Sequence, residues 1–131
     1  MCGIIFYISN VPLTETQDDL FDKALSSQDW RGPDNTERYK SEDGKVLIGH
    51  NRLKIIDLTN NSNQPYVKRN NILSFNGEIY NYIELSKKYF PKDIIPSDTV
   101  LLFKILEKYG KEKINELEGM FSFLFFDTNT S

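Results

Sequence analysis

The chain opens Met1-Cys2-Gly3-Ile4-Ile5-Phe6-Tyr7-Ile8-Ser9. From Gly3 to Ser9 the stretch is apolar, with β-branched and aromatic residues, which predicts a strand buried on both faces. Asn10, Val11 and Pro12 end it. Thr14 and Gln17 stand three apart in the capping-box pattern and predict a helix from about Glu15 to Gln28. Its inward stripe reads as Leu20, Phe21, Ala24 and Leu25. Arg31-Gly32-Pro33-Asp34 then breaks the helix, because Gly and Pro together punctuate the backbone.

Two strands follow, about Thr36 to Lys40 and Val46 to Leu53. They are joined through Glu42-Asp43-Gly44-Lys45, where Asp-Gly tolerates positive φ. Thr59 to Gln64 is polar and Asn-rich and reads as a loop. Ile72 to Phe75 is a third strand, stopped by Asn76-Gly77. Helices are predicted from about Tyr82 to Tyr89 and after Ser97-Asp98. The second turns Leu101, Leu102, Ile105 and Leu106 inward and takes Gly110 as its C-cap. A short helical turn near Ile114 to Leu117 leads to Met120–Phe126, which is apolar at nearly every position and so predicted to be covered on both faces. Strands mixed with helices in this way give an α+β class.

Composition excludes several functions. The 131 residues are enough to bury about two-thirds of the unfolded surface. Nine Phe and seven Tyr argue against disorder. With 16 basic against 19 acidic residues and no basic stripe, no nucleic-acid partner is expected. One cysteine and one histidine fall short of a four-ligand metal centre, and one cysteine allows no internal disulfide. No run reaches membrane-spanning length, and Ile4–Ile8 lacks the positive flank of a signal peptide. No membrane partner is expected, and the expected compartment is the cytoplasm, where a free thiol stays reduced.

Cys2 is the residue with chemistry. Methionine before a small residue is normally clipped, which would leave the amine and the thiol on one terminal residue. An α-amine, with a reference pKa of about 7.7 to 8.0, is partly neutral near pH 7 and can serve the thiol as general base. Taken alone, Met-Cys is weak evidence and reads first as a small buried residue opening a strand. Asn76-Gly77 reads either as a plain type I′ turn or as an amide side chain and a backbone N–H for an oxyanion.

Several motifs, in order, carry a resemblance. Met1-Cys2-Gly3-Ile4, Arg31-Gly32-Pro33-Asp34, His50-Asn51-Arg52-Leu53 through Ile55-Ile56-Asp57-Leu58, Gln64-Pro65, Asn76-Gly77-Glu78-Ile79-Tyr80-Asn81, Ser97-Asp98-Thr99 and Leu117-Glu118-Gly119-Met120-Phe121 are spread over residues 1 to about 127. Together they are similar to the class II glutamine amidotransferases, which are N-terminal nucleophile hydrolases, and most of all to the glutamine-hydrolysing asparagine synthetase branch. The resemblance implies the four-layer αββα sandwich of that superfamily. It implies hydrolysis of the glutamine side-chain amide through a Cys2 thioester, with Asn76 and Gly77 as the oxyanion hole. Arg52 would hold the α-carboxylate of free L-glutamine and Asp98 its α-ammonium, with Glu78 and the backbone carbonyls of Leu53 and Ile55 completing the pocket. A guanidinium fork suits the carboxylate. The plainer readings are Asp98 as a helix N-cap and Arg52 in a surface salt bridge. His50, the one histidine, reads as structural rather than as a base for Cys2.

Two positions depart from the pattern. Trp30 stands where the family usually has His, adding bulk beside the Arg31–Asp34 turn at the mouth of the pocket. Val100 stands where the family has Glu, so Ser97 loses the return bond of a capping box. Family domains also continue for several tens of residues past the last strand. Residues 2–131 are therefore expected to be one glutaminase domain, incomplete at its C-terminus and weakly active or inactive alone. The ATP and Mg²⁺ of asparagine synthesis would belong to a synthetase domain, in cis or in trans, that accepts the ammonia. No cofactor is expected in this segment, and a homodimer stays open for the full-length protein. Two alternatives stand beside the enzyme: a truncated, inactive domain with a structural or assembly role, and an autoprocessing hydrolase using the same nucleophile.

Overall fold

The computed structural model describes residues 1–129. It contains two three-stranded antiparallel sheets flanked by helices. The first sheet has the order β1-β3-β2, built from β1 (Gly3–Ile8), β2 (Asn35–Lys40) and β3 (Val46–Arg52). The second has the order β4-β5-β6, built from β4 (Tyr66–Lys68), β5 (Asn71–Ile79) and β6 (Gly119–Asp127). Helices α1 (Glu15–Ser26), α2 (Tyr82–Tyr89) and α3 (Asp98–Tyr109) complete the fold, with 3-10 turns at Asp29–Arg31, Asn60–Ser62 and Gly110–Glu116.

Alternation along the two central strands organises the packing, since successive side chains leave a strand on opposite faces. On β3, Leu47 meets Phe21 and Leu25 of α1, while Val46 and Ile48 meet Ile72 of β5. On β5, Leu73, Phe75 and Ile79 turn the other way and pack with Leu85 of α2 and Leu101, Leu102, Phe103, Ile105 and Leu106 of α3. Helix α1 thus covers the first sheet, α2 and α3 cover the second, and the two sheets share a core. Continuing the same faces, His50 of β3 meets Ser74 of β5, with Nδ1 and Oγ 2.8 Å apart. Arg52 and Asn76 lie two residues further along those strands, and both line a pocket.

The helix starts follow from the sequence. Thr14 and Gln17 form the full reciprocal capping box on α1. Ser97 caps α3, its Oγ accepting the Val100 N–H at 3.3 Å, and Gly110 ends that helix at φ 61°. The Asp43-Gly44 turn puts Gly44 at φ 68°, as a hairpin needs.

Five expectations are corrected. β1 is not buried on both faces: it is an edge strand, and Phe6 and Ile8 are more than half exposed. β6 is also an edge strand, with Met120 72% exposed and the residues beyond it only part-buried or exposed. In both, an apolar run reports β-propensity without saying how far the neighbouring layer extends. Leu20 lies off the inward stripe and is exposed, leaving Phe21 and Leu25 to anchor α1. Asn76-Gly77 does not stop a strand and is not a hairpin turn. β5 runs through it to Ile79, pairing Asn76 with Ser122 and Gly77 with Phe121. β4, only three residues long, was not expected at all. Ser131, where the sequence reading places the cut, lies outside the described residues.

Candidate active site

A pocket of about 150 Å³ opens between the ends of β1, β3 and β5 and the start of α3. It is lined by all eight residues singled out in the sequence: Cys2, Arg52, Leu53, Ile55, Asn76, Gly77, Glu78 and Asp98. Met1, Asp57, Ser62, Gln64, Phe75, Ser97, Thr99 and Met120 are among the remaining lining residues.

Cys2 immediately precedes β1, whose Gly3 pairs with Asn51 of β3. Its Sγ accepts the Leu53 N–H at 3.3 Å, and its thiol faces the Leu53 carbonyl at 3.8 Å. Arg31 Nε donates to the Cys2 carbonyl at 3.1 Å. The Arg31–Asp34 turn does more than break a helix: the Asp34 N–H donates to the Arg52 carbonyl and its carboxylate accepts the Lys54 N–H at 2.8 Å. Gly32 is required there, since a Cβ would stand 2.2 Å from the Asn51 carbonyl oxygen. The turn therefore clamps both Cys2 and the segment carrying Arg52. Trp30 points away, 77% exposed under the Arg31 guanidinium, and is not part of the pocket lining.

The edge of β5 facing the pocket is open by design of its neighbours. Backbone pairing with β4 ends at Tyr66–Leu73, and Pro65, which follows a cis Gln64–Pro65 bond, has no N–H to extend it. Beyond that point the Phe75 N–H is taken by the buried Gln64 Oε1 at 2.6 Å, and the Ile79 N–H by Asp98 Oδ2 at 3.1 Å. By strand alternation the Gly77 N–H points to the same edge, between these two caps. Gly77 itself sits at φ 141°. Beside it, the buried Oδ1 of Asn76 has no partner among the described residues.

Asp98 is buried at the first position of α3 and is not its cap, which is Ser97. Oδ1 accepts the Thr99 N–H at 2.8 Å. Burial pushes the Asp98 carboxyl above the ordinary carboxylate range; the backbone N–H groups of Ile79, Thr99 and Asp98 itself work against that rise, and the nearby charge of Glu78 adds to it. The missing return bond at Val100 thus leaves Asp98 anchored through Ile79 and Thr99.

Arg52 is buried too, and among the described residues it makes no ion pair, so the surface salt bridge is not its role. One terminal nitrogen donates to the Thr59 carbonyl and to Asn63 Oδ1, both at 2.7 Å, and the other donates to the Asp57 carbonyl. Nε–H and one further N–H lie outside these bonds. Burial pushes the Asp57 carboxyl up, but hydrogen bonds from Ser62 and Thr59 and the field of Arg52 outweigh it and leave the pKa lowered.

A family model described as "Glutamine amidotransferase domain" matches residues 1–131. The chain belongs to the class II glutamine amidotransferase domains. It is homologous to the N-terminal domain of glutamine-hydrolysing asparagine synthetases. It is 36% identical over 136 residues to "Asparagine synthetase [glutamine-hydrolyzing] 1" of Bacillus subtilis, covering 98% of this chain and 21% of that protein. Against "Asparagine synthetase [glutamine-hydrolyzing]" of Zea mays the identity is 33% over 131 residues, 98% of this chain and 22% of the relative. Against "Asparagine synthetase B [glutamine-hydrolyzing]" of Escherichia coli it is 31% over 101 residues, 75% and 18%. The chain thus spans about a fifth of the length of these curated relatives.

Within this amidotransferase domain His50 lies outside the pocket lining, fully buried, with its ring bonded to Ser74. Burial, aided by the charge of Arg52, lowers its pKa from 6.5 to about 3, so the imidazole is neutral. Among the described residues no group of three or more His, Cys, Asp or Glu could hold a metal ion, and no helix is long and apolar enough to cross a membrane. Sequence reasoning missed Arg31 and Asp34 as clamps, Gln64 as a strand cap, and the hydroxyls of Ser62 and Ser97. The Arg31–Asp34 and Gln64-Pro65 motifs were the available signals for the first three.

Proposed function

We propose that residues 2–131 act as a glutaminase domain with Cys2 as nucleophile once Met1 is removed. Met1 is exposed at the pocket, and its loss would leave the Cys2 amine beside its own thiol. In the proposed reaction the amine, directly or through one water, takes the thiol proton as Sγ attacks the side-chain carbonyl carbon of glutamine. The tetrahedral oxyanion is held by the Gly77 N–H and the Asn76 amide. Collapse breaks the C–N bond, the proton passes to the leaving nitrogen, and ammonia departs. Water then hydrolyses the thioester to glutamate and restores the thiol. Losing one oxyanion donor costs about 3 to 4 kcal/mol in other hydrolases.

The observation that carries this reading is the convergence of Cys2, the open β5 edge at Asn76-Gly77 and two buried, opposite charges, Arg52 and Asp98, on one pocket. A buried carboxylate with a raised pKa is the environment an ammonium would relieve, and Arg52 retains N–H groups for a carboxylate. Glu78, with the Leu53 and Ile55 carbonyls, completes the pocket in this reading. The two face-packed sheets fit the αββα sandwich of N-terminal nucleophile hydrolases. By analogy with the named relatives, the ammonia serves asparagine synthesis in a synthetase domain in cis or trans. The ATP and Mg²⁺ chemistry sits in that domain, and the setting is cytoplasmic. The test is glutamate release from L-glutamine by the purified protein. Release abolished by Cys2→Ala supports the reading, and release that survives Cys2→Ala sinks it.

A further inference from the structure

Arg52 leaves the end of β3 and Asp98 opens α3, so nothing in the local sequence fixes the spacing between them. A buried hydroxyl chain spans the gap. Ser62 Oγ donates to Asp57 Oδ2 at 2.6 Å, and Ser62 Oγ lies 2.7 Å from Ser97 Oγ. Ser62 and Ser97 are each 1% exposed, and Asp57 is buried with them.

Proton counting orders this chain completely. An ionised carboxylate can only accept, so Ser62 spends its one hydrogen on Asp57. Ser97 must then donate to Ser62, while its lone pair receives the Val100 N–H at the start of α3. At the far end, the Asp57 carbonyl accepts from Arg52, and Asp57 Oδ1 takes the Thr59 N–H and hydroxyl at 2.8 and 2.7 Å. One directional chain therefore runs from the helix that carries Asp98 to the loop that holds Arg52.

We propose that Ser62 is a positioning residue that sets Asp98 against Arg52, and so determines the selectivity of the pocket for an intact α-amino acid. This rests on the glutamine reading above. Removing the Ser62 hydroxyl leaves the Ser97 hydrogen without an acceptor. Ser97 then turns to another partner and the first turn of α3 loosens. Asp57 keeps both Thr59 bonds on Oδ1, so the Arg52 side is less disturbed. Recognition of the ammonium should suffer more than recognition of the carboxylate.

The experiment measures binding by calorimetry in a Cys2→Ala background, with Ser62 intact, with Ser62→Ala and with Ser62→Thr. The ligands are L-glutamine, glutaramate (which lacks the α-amino group) and 4-aminobutanamide (which lacks the α-carboxylate). Ratios of Kd do not depend on how much of each sample is folded. Ser62→Ala is expected to lower the preference for glutamine over glutaramate about tenfold, the scale of one unsatisfied buried hydrogen bond. The preference over 4-aminobutanamide should fall less, and Ser62→Thr, which keeps a hydroxyl, should stay nearer the parent. A glutamine-to-glutaramate ratio within about twofold of the parent in Ser62→Ala overturns the positioning role. If the Ser62-intact protein shows no preference for glutamine over either analogue, the glutamine reading itself fails, and this inference with it.

Discussion

The backbone carbonyl oxygen of Met120 lies 2.1 Å from where a Cβ on Gly77 would be. Gly77 also holds φ at 141°, a conformation L side chains rarely adopt. Its lack of a side chain is therefore a packing requirement between β5 and β6 as well as a means of close approach to a ligand. Gly77→Ala must displace β6 or distort β5, at a cost of about 2 kcal/mol or more. Urea unfolding should show the midpoint of Gly77→Ala well below the parent. An unchanged midpoint would mean that β6 yields freely there.

Gln64 replaces a strand neighbour that Pro65 cannot supply. Gln64→Met keeps the bulk and orphans the buried Phe75 N–H, costing about 1 to 3 kcal/mol. Because Phe75 precedes Asn76, turnover of glutamine should also fall, with KM changing less than kcat. Parent-like unfolding and kinetics together would show that the 2.6 Å bond is dispensable.

Much of this was legible in the sequence. The Thr14–Gln17 capping box, the Tyr82–Tyr89 helix, the Asp43-Gly44 turn and the inward face of α3 are written in local spacing, and the structure has them where the spacing puts them. The eight candidate residues were readable because ordered motifs mark them, even though they come from β3, β5, α3 and the segments next to β1 and β3. What was not legible depends on distant partners. Ser62 and Ser97 are 35 positions apart, and nothing near either one signals the other. Asn76-Gly77 reads locally as a turn, and only pairing with Phe121 and Ser122 makes it a strand. The apolar runs of β1 and β6 announce strands but not their edge positions.

Arg52 holds three oxygens of the 57–63 loop with a planar fork. Lysine keeps the charge but cannot reach them together. Arg52→Lys is expected to weaken L-glutamine binding about tenfold or more, read by calorimetry in the Cys2→Ala background. Binding equal to the parent would remove Arg52 from substrate recognition.

His50 makes acid stability diagnostic. The unfolded chain takes up a proton at this residue near pH 6.5, whereas the folded chain refuses it until about pH 3. Its contribution to stability is therefore complete above pH 6.5 and is lost as pH falls towards 3. His50→Gln keeps a polar group for Ser74 without the titration. Its unfolding midpoint should vary less across that range than the parent's. Parallel curves would place a charged or exposed imidazole at this position.

Intact-mass and peptide mass spectrometry, after incubation with an electrophilic diazoketone analogue of glutamine, reads out whether Cys2 is the terminal nucleophile of a glutamine pocket. The chain is expected to begin at Cys2, to carry one adduct on its sulfur, and to be protected from labelling by L-glutamine. A chain that retains Met1, with Cys2 unmodified or modified regardless of glutamine, would contradict that role for Cys2.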